Sequence, residues 1–239
     1  MQQKWNLCSL AKRDDHERLR ALFPEVTVQQ WQQLEVFVQL LREWNQRVNL
    51  VSRRDVDHLW EHHILPSLIP LKLLNLPIGD RCLDIGSGGG FPAMPLKIVR
   101  PDLQFLLVES VRKKSLFLRK VIQELSLERI AVVNQRVETL HTTAAFQQAF
   151  DWVTARAVAD LATLLQWGYP LLKRSGKFLF WKGEADAAEL KMVASRWNFS
   201  YGVRCPESHF SGWKSLRGLR LFVLEKTAFT APPPVHRKE

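Results

Sequence analysis

Cysteine is scarce in this chain, with Cys8, Cys82 and Cys205 the only three in 239 residues. They lie far apart, are odd in number and form no Cys-x-x-Cys pair, which argues against a disulfide framework and against a thiolate zinc site. A reducing compartment suits such a chain, and the cytoplasm is its expected location. Long apolar runs are missing too. The greasiest stretch, residues 64–78, is interrupted by Pro66, Pro70, Lys72 and Pro77, so it is too short and too broken to span a bilayer, and no membrane association is expected. Residues 1–6 lack the apolar core of a signal peptide. Acidic charge is in deficit, with 24 Asp and Glu against 34 Lys and Arg, a net +10. A soluble protein can simply be basic, but the imbalance favours a polyanionic partner such as nucleic acid.

What is present reads as one α/β domain with a helical appendage. Val28, Trp31, Leu34, Phe37, Val38, Leu41, Trp44 and Val48 recur at steps of three and four, the stripe of a helix over 27–47 with Thr27 as its N-cap. A second helix is expected over 55–64. From Asp80 the pattern changes to short apolar runs, 82–85, 105–109, 130–133, 152–155 and 177–181, separated by helical stretches at 91–100, 112–125, 161–172 and 185–196. This alternation predicts a parallel sheet covered by helices on both faces. Two further strands, 200–204 and 219–225, follow without a helix between them and predict a hairpin whose second strand inserts antiparallel. The expected organisation is a helical extension over 1–78, a sheet domain over 79–228 and a Pro-rich disordered tail over 229–239.

The segment Asp84-Ile85-Gly86-Ser87-Gly88-Gly89-Gly90 joins the first strand to the following helix. Glycines serve there because a tight strand-to-helix turn asks for positive φ and because a ligand must approach the backbone at a helix N-terminus. A glycine-rich turn can also be purely structural. The spacing narrows the choice. Counted from Gly86 the sixth position is Phe91, and counted from Gly88 it is Ala93, against the dinucleotide fingerprint, and Phe91-Pro92 replaces the Lys-Ser/Thr of a phosphate-binding loop. What remains, Asp-x-Gly-x-Gly-x-Gly, resembles the first motif of class I methyltransferases. Glu109, at the end of the second strand, can accept both ribose hydroxyls of an adenosine, although an ordinary strand-end glutamate would look the same. Arg136-Val137-Glu138 follows the third strand and Arg156 the fourth; ion pairs or caps would explain them as well.

The ordered set of motifs is more specific than the loop. Residues 84–96, Val99-Arg100-Pro101, Glu109-Ser110, Arg112-Lys113-Lys114, Phe117-Leu118, residues 44–52, His63-Ile64-Leu65, Arg136-Val137-Glu138 and Ala155-Arg156-Ala157 together resemble the bacterial small-subunit rRNA methyltransferase G family, also called glucose-inhibited division protein B. The resemblance runs from about Val28 to Glu225. It implies a Rossmann-like S-adenosylmethionine methyltransferase fold with a doubly wound, mostly parallel seven-stranded sheet. It also implies methyl transfer to N7 of a guanine in 16S rRNA near the decoding centre, with the 30S subunit or its precursor as partner and a monomeric enzyme. The cofactor residues it implies are Gly86 and Phe91 on the methionine side, Glu109 at the ribose, Val137 and Glu138 at the adenine, and Arg156 in the cleft, with Asp84, Gly88 and Ser110 from the same motifs. Two departures stand out: Pro66 where the family usually has Asp, and Pro92-Ala93-Met94-Pro95 where Pro-Gly-Ile-Pro is commoner.

Guanine N7 carries a lone pair and no proton, so in-line attack on a sulfonium methyl needs no general base, and orientation supplies most of the effect. No catalytic acid, base or metal ligand is therefore nominated. His62 and His63 are read as ordinary core or surface histidines. Basic clusters at Arg53-Arg54, Arg112-Lys113-Lys114, Arg119-Lys120 and Lys214, Arg217, Arg220, with Trp213 interleaved, are candidate phosphate contacts or solvated faces. Methylation of a protein or small molecule, and RNA binding on a decayed methyltransferase fold, are the competing functions; the glycine spacing disfavours an NAD-linked oxidoreductase.

Overall fold

The structure is a computed structural model that describes residues 16–226. Cys8 and the expected tail lie outside those residues. One seven-stranded sheet organises the fold: β1 (Arg81–Ile85), β2 (Gln104–Val108), β3 (Ile130–Val133), β4 (Phe150–Arg156), β5 (Leu172–Gly183), β6 (Ser200–Arg204) and β7 (Leu219–Glu225), in the order β3-β2-β1-β4-β5-β7-β6. The first five strands pair in parallel, and β7 lies antiparallel between β5 and β6, as the missing helix between the last two strands predicts. The strand order reverses between β1 and β4, so both crossovers leave an opening beyond their carboxyl ends, where ligands bind in such sheets.

Period-two alternation divides the core. Phe178, Phe180, Leu83 and Ile85 pack with α6 (Leu161–Gly168) and α7 (Ala187–Trp197) on one face. Leu179, Trp181, Cys82 and Trp152 pack on the other face with α4 (Ala93–Val99), α5 (Arg112–Glu124) and the N-terminal helices. The extension is thus continuous with the sheet's own core. Its long helix α1 (Val28–Asn45) begins where the sequence predicts, with Thr27 and Gln30 forming a reciprocal capping box. Gln30 also donates from Nε2 to the carbonyls of Ile98 and Val99, at 3.1 and 3.0 Å, which docks α1 on the end of α4.

The second expected helix differs. Residues 53–57 form turns, and a π-helical turn over Trp60–Ile64 runs directly into α2 (Leu65–Leu68) and α3 (Pro70–Leu73). Pro66 and Pro70 stand in the first turns of α2 and α3; the His62 and His63 carbonyls one turn before Pro66 accept instead from Arg156 Nη2 and Ser67 Oγ, at 2.6 and 2.7 Å, and the chain stays helical through prolines that read as interruptions.

Candidate functional site

The glycine turn is fastened to the neighbouring strand before it reaches the cleft. The N–H groups of Gly86 and Ser87 both donate to the Val108 carbonyl, at 2.9 and 3.1 Å. Gly88 N–H donates to Glu109 Oε2 at 2.9 Å, and Val111 N–H donates to Glu109 Oε1 at 2.7 Å. Glu109 is buried, yet each carboxylate oxygen keeps a further lone pair for a ligand hydroxyl. Asn134, just past β3, donates to the carbonyls of Glu109 and exposed Ser110, which draws the ends of β2 and β3 together. Buried Val137 and half-buried Glu138 follow on a 3₁₀ turn.

The glycines answer more to the protein than to a ligand. Gly86, Gly88 and Gly90 all have positive φ. A Cβ on Gly86 would stand 2.8 Å from a Val158 methyl, one on Gly90 would stand 2.7 Å from Met94 Cγ, and one on Gly89 would meet the Leu50 carbonyl at 3.1 Å. Gly88, whose nearest atom is a backbone oxygen at 3.7 Å, is the one of the four that faces open space. Close approach is therefore required by Val158, Met94 and the N-terminal extension, and Gly88 is the position left for a ligand.

Beneath the turn, Asp84 is 1% exposed. Its Oδ1 accepts from Thr154 Oγ1 at 2.7 Å, tying β1 to β4, while Oδ2 is buried with no partner among the described residues. Burial pushes this carboxyl up to about 7. At the end of β4, Arg156 Nη2 donates to the His62 carbonyl at 2.6 Å, and Nη1 is buried with no partner among the described residues. Burial brings its guanidinium down to about 10.

His62 and His63, read from sequence as ordinary histidines, lie at this site. The His63 ring is 4.8 Å from the ring of Phe91, which in turn packs edge-on against Phe37 of α1 at 5.4 Å. Burial, aided by the Arg156 charge, pushes His63 down to about 3, so its imidazole is neutral. Asp55 accepts from His62 Nδ1 at 2.9 Å and lies 3.8 Å from His63 Nε2. The available signal was adjacency, since the two histidines lead into Ile64-Leu65. Pro66, where an acid was expected by resemblance, is buried, and its carbonyl accepts the Trp181 indole N–H at 2.7 Å.

The basic clusters sort by exposure. Arg53, Arg54, Arg112 and Lys113 are exposed beside the glycine turn, and Arg119, Lys120, Lys214 and Arg217 are exposed as well. Arg220 is not available to a phosphate: it is buried and paired with Glu184 and Glu207 at 3.0 and 3.4 Å. Trp213 is likewise core, with Arg18 stacked 4.4 Å over its ring. Among the described residues no group of three His, Cys, Asp or Glu is placed to hold a metal ion.

The sheet order with its antiparallel seventh strand, and the glycine turn bonded to an acid at the end of β2, define a class I methyltransferase. Solved structures share the fold. A SAM dependent methyltransferase from Aquifex aeolicus aligns with 71% of this chain and 93% of its own at TM-score 0.55 and 12% identity. A predicted O-methyltransferase from Agrobacterium tumefaciens aligns with 68% of this chain and 81% of its own at TM-score 0.55 and 15% identity. Closer sequence relatives are more specific. The family described as rRNA small subunit methyltransferase G matches residues 30–212. The ribosomal RNA small subunit methyltransferase G of Ruegeria pomeroyi is 39% identical over 74% of this chain and 84% of its own length. The protein of the same name from Desulfitobacterium hafniense is 35% identical over 90% and 88%. The chain belongs to the rRNA small subunit methyltransferase G family.

Proposed function

We propose that this chain transfers a methyl group from S-adenosylmethionine to N7 of a guanine in 16S rRNA near the decoding centre, acting as a cytoplasmic monomer on the 30S subunit or its precursor. The observation that carries the reading is the Gly88–Glu109 bond at 2.9 Å, which sets a carboxylate with spare acceptor capacity beside an open glycine, within a chain of this family. The residues suit the cofactor. Glu109 offers lone pairs to two ribose hydroxyls, and Ser110 lies beside it. The unpaired Nη1 of Arg156 suits the methionine carboxylate, with Gly86 and Phe91 along that side. Val137 and Glu138 border the adenine. Asp84 holds β1 to β4 beneath the turn, and Gly88 leaves room above it.

When bound, the cofactor supplies an electrophilic methyl on a positively charged sulfur. The chain's own contribution is binding and orientation, because N7 brings its lone pair without a proton to remove. His63, held neutral between Phe91 and Arg156, adds bulk and polarity without positive charge next to a cationic donor. Incubating the protein with unmethylated 30S subunits and labelled S-adenosylmethionine, then mapping 7-methylguanine in 16S rRNA by primer extension, tests the reading. One labelled guanine is expected; absence of label would overturn it. Parallel incubation with naked RNA and with protein extract separates this from methylation of another substrate class.

A further inference from the structure

A cavity of about 480 Å³ opens beyond the ends of β4 and β5 and is walled on its far side by the segment 215–219. Its volume falls within the roughly 300–1,000 Å³ of small-ligand sites. Ala157, Gly183 and Gly218 add little side-chain bulk to a lining that also holds Trp181, Lys182 and Arg217, and the volume of this slot leaves room for a nucleobase. Arg156 stands in its wall and also reaches the π-helical turn over the glycine loop, so the slot adjoins the cofactor residues proposed above.

Two polar residues stand in the wall of the slot. Ser215 Oγ is buried and makes no hydrogen bond among the described residues, although the residue is fixed in place by its own N–H donating to Glu61 Oε1 at 3.3 Å. Asp186 also lines the slot; its Oδ2 accepts from Gly183 N–H at 2.7 Å, and its Oδ1 has no hydrogen bond among the described residues. A buried hydroxyl without a partner is uncommon and calls for an explanation. We infer that this slot receives the target base and that Asp186 and Ser215 read its Watson–Crick edge. A guanine presenting N7 toward the methyl donor turns its N1–H and N2 amino donors away from it, and a carboxylate is the acceptor those donors match. Adenine, with a lone pair at N1, would meet the same carboxylate with repulsion. This inference rests on the function proposed above and adds the residues that choose the base.

The test compares wild type with Ser215→Ala, Asp186→Asn and Asp186→Ala for methylation of unmethylated 30S subunits over a range of subunit concentrations, with S-adenosylmethionine affinity followed by calorimetry. Ser215→Ala removes no side-chain hydrogen bond among the described residues, so a loss at unchanged cofactor affinity reports on the substrate. Asp186→Asn keeps an oxygen for the Gly183 N–H and replaces only the carboxylate character. We expect kcat/KM for 30S subunits to fall roughly 10- to 100-fold in both Asp186 variants and several-fold in Ser215→Ala, with cofactor affinity within about twofold of wild type. Wild-type rates in Asp186→Asn and Ser215→Ala, or a loss confined to Asp186→Ala, would overturn the assignment by making Asp186 a loop cap only. An inactive wild type would instead remove the function reading, and this one with it.

Discussion

Gly86 shows how one residue is fixed by its neighbours. Its φ of +66° and the 2.8 Å approach of Val158 to the place of a Cβ make Gly86→Ala doubly strained, whereas Gly88→Ala meets only the φ penalty of about 1–2 kcal/mol. Gly86→Ala is therefore expected to lower the urea midpoint more than Gly88→Ala, and calorimetry should show weakened S-adenosylmethionine binding in both. Asp84 and His63 oppose one another in pH dependence. The Asp84 carboxyl, raised to about 7, stabilises the fold fully below its unfolded value of about 4 and loses that contribution as pH rises to about 7. The His63 imidazole, lowered to about 3, contributes stability above its unfolded value of about 6.5 and loses it as pH falls toward 3. Urea unfolding between pH 4.5 and 6.5 (roughly the shared window of both groups) should thus show Asp84→Asn gaining stability with pH more steeply than wild type and His63→Gln less steeply. Parallel slopes in all three proteins would contradict the burial of these groups.

At the scale of elements, Gln30 adds a polar tie to the apolar face by which α1 packs on the sheet domain. Thr27→Ala removes half of the capping box and is expected to cost about 1 kcal/mol. Gln30→Ala removes the other half and also takes the donor from the Ile98 and Val99 carbonyls, so thermal unfolding should place it below Thr27→Ala. Here the sequence was readable: Thr27 and the three-four apolar spacing mark the helix by local chemistry alone. The π-helical turn was not readable, because the groups that bond to it, Arg156 at the His62 carbonyl and Ser215 N–H at the Glu61 carboxylate, lie 94 and 154 residues away. Helix α6 stops at Gly168 and β5 starts at Leu172, against an expected helix to 172 and a strand from 177; pairing with Phe150 recruits residues with no strand pattern of their own.

For the whole molecule the net charge of +10 matters through where it is exposed. Arg53 and Arg54 stand just past the Leu50 carbonyl that abuts Gly89, and Arg112 and Lys113 follow the Val111 N–H bonded to Glu109, so both pairs flank the glycine turn. Neutralising all four to glutamine is expected to weaken 16S rRNA binding and to flatten its dependence on log salt by about 0.7 for each phosphate that is no longer neutralised. Filter binding from about 50 to 200 mM salt measures the slope, while cofactor affinity should be unchanged. An unaltered slope would place the RNA elsewhere.

By itself the sequence determined the sheet class, the antiparallel last strand, the glycine turn with its acid at Glu109, and the family, because periodicity, turn chemistry and motif spacing are local. Only the tertiary structure decided which cations face solvent and which, like Arg220, are consumed in buried ion pairs. It alone brought His62 and His63 against Phe91 and Arg156, assigned most of the glycine requirement to Val158, Met94 and Leu50, and left Ser215 Oγ without a partner among the described residues. Those features depend on approach between residues distant in the chain, and burial, the force behind them, is a property of the packed molecule.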